Sequence, residues 1–192
     1  MKKIVLASAS PRRMELLKSI GLDFDVIPSC IDENIEGKTF SYEIIETIAM
    51  EKAANVAQNI DYPAIIIGSD TVVVIDNNIL GKPKDEDDAE KMLKTLSGRI
   101  HSVVTSTAII DTETGHFEVE SVTSKVEFKE LSDLEIKKYI SAGESLDKAG
   151  AYGIQGKANV FIKSIEGCYN NIVGLSLYNL AQMLTKFGIE LI

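Results

Sequence analysis

Apolar and polar positions change period repeatedly along the chain, and each change predicts an element. Residues 4–7 are an unbroken apolar run of strand length. Ser10 stands where an N-cap belongs and Pro11 at the first helical position, which predicts a helix to about Ser19 that Gly21 stops in the left-handed conformation. Residues 24–28 read as a second strand. Ser41 is placed to cap a helix to about Asn59, where Ile44, Ile45, Ile48, Ala49, Ala53, Val56 and Ala57 recur with the helical period. Residues 64–68 form the continuous run expected of a strand buried on both faces. After Ser69-Asp70-Thr71 a further strand, 72–75, leads to a turn at Asp76-Asn77-Asn78. A helix over 85–96 carries acids in its first turn, where the helix dipole favours them, and Ser97-Gly98 ends it. Residues 102–111 and 117–128 read as a hairpin around Glu113-Thr114-Gly115. Ser132-Asp133-Leu134-Glu135 is a capping box opening a helix to about Ala142. A glycine-rich loop, 150–156, precedes a strand over 160–165, and a last helix covers 171–186. The alternation, with a hairpin in its middle, predicts an α/β class: a mixed, twisted sheet flanked by helices. In such sheets ligands bind at the carboxyl ends of strands.

Composition narrows the class. The chain has 192 residues, 45% apolar and 26% charged, ordinary values for a globular domain. No linker, repeat or low-complexity tract divides it, so residues 1–192 are read as a single domain. No apolar run approaches the roughly 18 residues that cross a bilayer, so no membrane association is expected. Lys2-Lys3 and the run after them hint at a signal peptide, but the run ends at Ser8, short of the roughly 7–15 apolar residues an export signal needs. A cytoplasmic protein is the expectation. Cys30 and Cys168 lie in no C-x-x-C pair and read as reduced thiols. Two histidines, His101 and His116, are too few for a histidine-rich metal site. Any metal must be bound mainly through oxygen, which suits Mg²⁺ or Mn²⁺. The net charge of −9 disfavours stable nucleic-acid binding. An anionic small molecule would require cations gathered locally.

Five segments could gather them, and each has a bland reading. Ser8-Ala9-Ser10-Pro11-Arg12-Arg13 places two arginines in a first helical turn, where they oppose the dipole. A helix N-terminus with two guanidiniums suits phosphate, unless the arginines are only solvated. Gly68-Ser69-Asp70-Thr71 puts a carboxylate after a buried strand, where a metal ligand or general base often sits. A turn aspartate bonding its own backbone is the alternative. Gly81-Lys82-Pro83 offers a lysine in a stiff loop, either a phosphate contact or an exposed side chain. Asp32 and Glu33 follow the second strand. Lys52 lies on an apolar helix stripe, where it either snorkels or points into a cleft. Residues 147–157 carry Gly150, Gly153 and Gly156, with Gln155 able to read a base edge. The spacing matches neither a P-loop nor a dinucleotide fingerprint.

Together and in this order these blocks, with Val72-Val73, Leu96-Ser97-Gly98-Arg99, His101 and Asp147 to Gly156, resemble the Maf family of nucleotide pyrophosphatases over nearly the whole chain. The resemblance implies an elongated α/β fold with two lobes around a central cleft. It implies hydrolysis of a nucleoside triphosphate to monophosphate and pyrophosphate with a divalent cation. Asp70 would be the general base or a metal-linked acid, with Glu33 at the metal. Ser8 belongs to the matching substrate-binding segment, and Arg13, Lys52 and Lys82 would hold phosphates. Arg12, Thr71 and Gln155 resemble the branch acting on dTTP and UTP, with CTP and modified pyrimidine nucleotides as further substrates. Thr105-Ser106 departs from the family's usual Thr-Gly. Family-level expectations also include a homodimer. Two rival readings remain at this point: a septum-formation inhibitor acting through a protein partner, and a purine pyrophosphatase acting on 7-methyl-GTP or ITP.

Overall fold

The structure, a computed structural model, describes residues 2–31 and 39–191. Its elements in chain order are β1 (Lys3–Leu6), α1 (Pro11–Ser19), β2 (Asp25–Val26), α2 (Tyr42–Ala57), β3 (Ala64–Ile75), β4 (Asn78–Leu80), α3 (Glu86–Leu96), β5 (Ile100–Asp111), β6 (Phe117–Phe128), α4 (Asp133–Ser141), β7 (Ile162–Glu166), α5 (Tyr169–Val173) and α6 (Leu177–Thr185). Among the described residues the strands form one seven-stranded mixed sheet in the order β2-β1-β3-β5-β6-β7, with β4 on β3. β2, β1 and β3 run parallel, and β3, β5, β6 and β7 pair antiparallel.

β3 explains the layering. Successive side chains of a strand point to opposite faces, and in β3 both faces are covered. Ile65, Ile67, Val73 and Ile75 join Leu6, Leu17, Leu93, Phe128 and Leu180, the core beneath α1, α3, α4 and α6. Ile66 joins Val5, Ala49, Ala53 and Val56 beneath α2, and Val72 and Val74 join Ile45 and Ile48 of the same helix. Burying each such side chain contributes about 2 kcal/mol relative to exposure. The continuous apolar run predicts a strand buried on both faces, and residues 64–68 are all buried.

Four details depart from the sequence expectations. Residues 64–75 are one uninterrupted strand of 12 residues, because β5 pairs with it from Ile65 to Val74 and holds Ser69, Asp70 and Thr71 extended. The second strand shrinks to Asp25–Val26, since β1, its partner, ends at Leu6. The last helix is two: Gly174 at φ 131° cannot continue a helix, and Ser176 caps α6 by accepting the Asn179 N–H. Ser10 and Ser41 stand at N-cap positions without side-chain cap bonds, whereas Asp85 and Ser132 make theirs. Among the described residues no helix is long and apolar enough to cross a membrane.

Gly68 sets the seating of α2. A Cβ there would lie 2.3 Å from the Ala49 carbonyl oxygen and 2.8 Å from the Ala53 nitrogen. Gly68→Ala should therefore push α2 off the sheet and cost about 1–3 kcal/mol, the usual range for overpacking. Thermal denaturation checks this; an unchanged midpoint would contradict the close approach.

Candidate active site

A missing partner strand opens the site. β1 pairs with β3 as far as Leu6 opposite Ile67, and the Ala7 N–H reaches the Ile67 carbonyl at 2.8 Å. β4 takes up the same edge only from Val73. Among the described residues no strand covers that edge of residues 68–72. The chain meanwhile leaves β1 through Ser8, Ala9 and Ser10 into α1. The resulting cleft has a volume of 820 Å³, within the range of small-molecule sites. Asp70 therefore lies mid-strand in β3, not beyond a strand end as expected. The carboxyl terminus that opens the cleft is that of β1.

Strand alternation assigns the side chains of this segment to two faces. Gly68 and Asp70 face α2, and Ser69 and Thr71 face α1 and the α5–α6 elbow. Asp70 is 6% exposed and Lys52 is 4% exposed. The Lys52 ammonium donates to Asp70 Oδ1 at 2.7 Å and lies 3.4 Å from the Ser69 carbonyl oxygen. Lys52 thus points into the cleft and does not snorkel. Breaking so buried a pair by removing one member typically costs about 3–5 kcal/mol.

On the other face the guanidinium of Arg13, itself buried, donates to three oxygens. Nε reaches the Gly174 carbonyl at 2.9 Å, Nη1 the Ser8 hydroxyl at 3.1 Å, and Nη2 the Thr71 hydroxyl at 3.0 Å. Thr105 donates to the Asn171 carbonyl at 2.9 Å, so Thr71 donates to Thr105 across 2.9 Å and accepts from Arg13. The Asn171 side-chain amide donates to the Val103 carbonyl and the Ser124 hydroxyl, each at 3.0 Å. Gly174 and Asn171 were missed in the sequence, where the elbow between α5 and α6 was read as continuous helix. An isolated glycine within that pattern was the available signal. The neighbouring departure, Ser106, has its hydroxyl 2.7 Å from that of Ser121.

The remaining candidates lie around the rim. Arg12 is half-buried, its Nη1 3.7 Å from Asp147 Oδ2, and Lys82 is exposed; both line the cleft. Lys148 lines it too and donates to Asp147 Oδ1 at 2.5 Å. Partial burial raises the Asp147 carboxyl pKa, but Lys148 and Arg12 outweigh this and leave it below its ordinary value. Gln155 is exposed and follows the lining residue Ile154, outside the lining itself. Asp32 and Glu33 lie outside the described residues. Among the described lining, five cationic side chains stand against two carboxylates, Asp70 and Asp147. An acidic chain has gathered positive charge in one place.

A family model described as Maf-like protein matches residues 3–187. The chain belongs to the Maf family. The dTTP/UTP pyrophosphatase of Alkaliphilus metalliredigens is 47% identical over 193 residues, covering 100% of both chains. That of Alkaliphilus oremlandii is 49% identical over 193 residues, again covering 100% of both. Among solved structures, a HAM1 protein from Coxiella burnetii aligns with TM-score 0.53 at 18% identity, over 97% of this chain and 100% of that one. That likeness concerns the fold alone.

The Maf cleft also bears on a divalent cation. Among the described residues no group of three or more His, Cys, Asp or Glu side chains is arranged to hold a metal. A complete protein cage is not the usual way to bind Mg²⁺, which takes one or two carboxylates and fills its shell with phosphate oxygens and water. Asp70, buried at the cleft, fits that donor set.

Behind this Maf cleft stands a buried histidine. His101 Nε2 lies 2.7 Å from the Tyr152 hydroxyl, and Tyr152 lines the cleft. Burial pushes the His101 pKa down to about 4 from 6.5. The imidazole is neutral in the fold, while the unfolded chain binds its proton below about pH 6.5, so acid favours unfolding. Stability from this group is complete above pH 6.5 and declines as the pH falls toward 4, by about 3 kcal/mol in all. Urea denaturation at several pH values should show this slope, and His101→Gln should flatten it; parallel slopes would exclude His101 as the group.

Proposed function

We propose that this chain is a nucleoside triphosphate pyrophosphatase that hydrolyses dTTP and UTP, with CTP and modified pyrimidine nucleotides as further substrates. The observation that carries this reading is the buried Asp70–Lys52 pair at a cleft where cationic side chains outnumber carboxylates. The names of its close Maf relatives point the same way. In this reading the chain acts as one Maf-like domain whose two lobes share the cleft. It works in the cytoplasm on a small molecule, with no stable nucleic acid and no membrane, and as a homodimer.

The triphosphate enters among Ser8, Arg12, Arg13, Lys52 and Lys82, whose charges and hydroxyl offset its own. Asp70 and Glu33 are the residues that would hold a divalent metal cation, Mg²⁺ or Mn²⁺, and the cation would supply charge neutralisation for the triphosphate. Lys52 fixes the Asp70 carboxylate through Oδ1. Asp70 takes a proton from a water that attacks the α phosphorus. The bond from the α phosphorus to the bridging oxygen breaks, and pyrophosphate leaves with that electron pair. Positioning and electrostatics supply most of the acceleration, as in phosphoryl transfer generally. Arg13 is held in place by Gly174, Ser8 and Thr71. Arg12, Thr71 and Gln155 select the base. For Gln155 this requires the loop after Ile154 to turn its amide toward the nucleotide.

Pyrophosphate release from dTTP, UTP, CTP, GTP, 7-methyl-GTP and ITP tests the assignment. dTTP and UTP should be the best substrates, and a preference for any purine would overturn it. Asp70→Asn should lower kcat by at least ~10²-fold, typical for loss of a general base. It should also lower the melting temperature, because a buried ion pair is broken. Retained turnover would reject Asp70 as the base. Gln155→Glu should shift the UTP/GTP ratio more than the rate on UTP; an unchanged ratio would remove Gln155 from base selection.

A further inference from the structure

Residues 147–154 form a strap along one wall of the cleft, and Asp147, Lys148, Ala149, Tyr152, Gly153 and Ile154 line it. The strap has an unfavourable backbone at its centre. Gly150 and Ala151 are consecutive left-handed residues, at φ 66° and 63°. Glycine adopts that conformation freely, but alanine does so only where its surroundings impose it. Something just beyond Ala151 must hold the chain. On one side the Gly150 N–H donates to the Gly81 carbonyl at 2.9 Å, and a Cβ at Gly150 would lie 2.9 Å from Val73 Cγ2. The strap therefore rests on β3 and on the loop that carries Lys82.

On the other side the hold is Tyr152. Its ring, 5% exposed, packs edge-on against Phe128 at 4.7 Å and His101 at 5.4 Å between centroids. Burial raises the pKa of its hydroxyl, which therefore stays protonated. His101 sits on β5, 2% exposed, and does not line the cleft. Its Nδ1 is buried without a hydrogen-bond partner among the described residues. A polar ring at such a position is disfavoured, and an apolar one would fill it without leaving an orphan nitrogen. Among the described residues the imidazole makes one hydrogen bond, the 2.7 Å contact with Tyr152.

We infer that the buried His101–Tyr152 hydrogen bond positions the strap, so that Lys148, Gly153 and Ile154 meet the nucleotide in a preset arrangement. His101 acts through Tyr152 and touches no substrate. Tyr152 transmits the hold across the strained Ala151 to the lining residues on both sides. This inference rests on the nucleotide-hydrolysing reading of the cleft. It assigns a binding role to a histidine in the core, because a strap fixed in advance loses less freedom when the nucleotide binds.

Tyr152→Phe keeps the ring stack and removes the hydroxyl, and His101→Leu keeps the bulk and removes the imidazole side of the bond. Each should raise KM for dTTP and UTP about tenfold while kcat stays within about twofold, the signature of lost ground-state binding. Amide exchange over residues 148–156 should quicken by about tenfold in both, since local opening becomes easier. His101→Gln, whose amide reaches the place of Nε2, should restore KM to within about threefold of wild type. Wild-type KM and exchange in Tyr152→Phe would overturn the inference, as would a lower melting temperature with unchanged KM. His101→Gln behaving like His101→Leu would exclude the hydrogen bond as the operative contact. Wild-type protein that hydrolyses neither nucleotide would defeat the functional reading, and the exchange rates, which need no substrate, would still decide whether the pair holds the strap.

Discussion

Two opposite charges, almost excluded from water, face each other between a helix and a strand, and the cleft is arranged around them. Lys52 and Asp70 are 2.7 Å apart. Burying either without a partner would be severely unfavourable, and their pairing requires α2 to lie close to β3. Gly68 permits that approach. Ala49 and Ala53, the small residues facing it, keep the helix backbone near enough for a lysine one turn along to reach an aspartate two residues on. A carboxylate so held is oriented and partly desolvated before any ligand arrives.

β3 divides the work by the parity of its residues. Asp70 points toward α2 and its lysine. Thr71 points the other way and helps hold Arg13, whose guanidinium also binds Ser8 and the Gly174 carbonyl. One residue's shift along the strand exchanges the faces, so the charge pair and the arginine clamp can adjoin only because they sit at neighbouring positions. The edge between the end of β1 and the start of β4 gives both access to the same opening. The clamp joins α1, β3 and the α5–α6 elbow, and its Arg13–Gly174 bond spans 161 positions of the chain. The strap adds a second wall, fastened by Tyr152 to the aromatic cluster around His101 and Phe128.

Much of this was legible locally. The capping box at Ser132, the hairpin around Glu113-Thr114-Gly115, and the helix starting with Pro11 follow from short-range chemistry, and the structure agrees. Residue type and spacing single out five segments that could serve a phosphate, and each of them supplies residues that line the cleft. The break at Gly174 had only that lone glycine to mark it, and a glycine in an amphipathic run interrupts a helix only if something rewards the break. Here the reward is a backbone carbonyl delivered to Arg13 from 161 positions away.

The amino-acid sequence by itself determined the period and placement of most elements, the α/β class and the family, since these depend on neighbours a few residues apart and on an ordered set of motifs. Tertiary structure alone decided that Asp70 lies within a strand, that Lys52 points into the cleft, and that Arg13 is clamped on three sides. Each of those outcomes depends on which strand pairs where and which helix packs on which face. Such long-range choices leave no mark in a local window of residues.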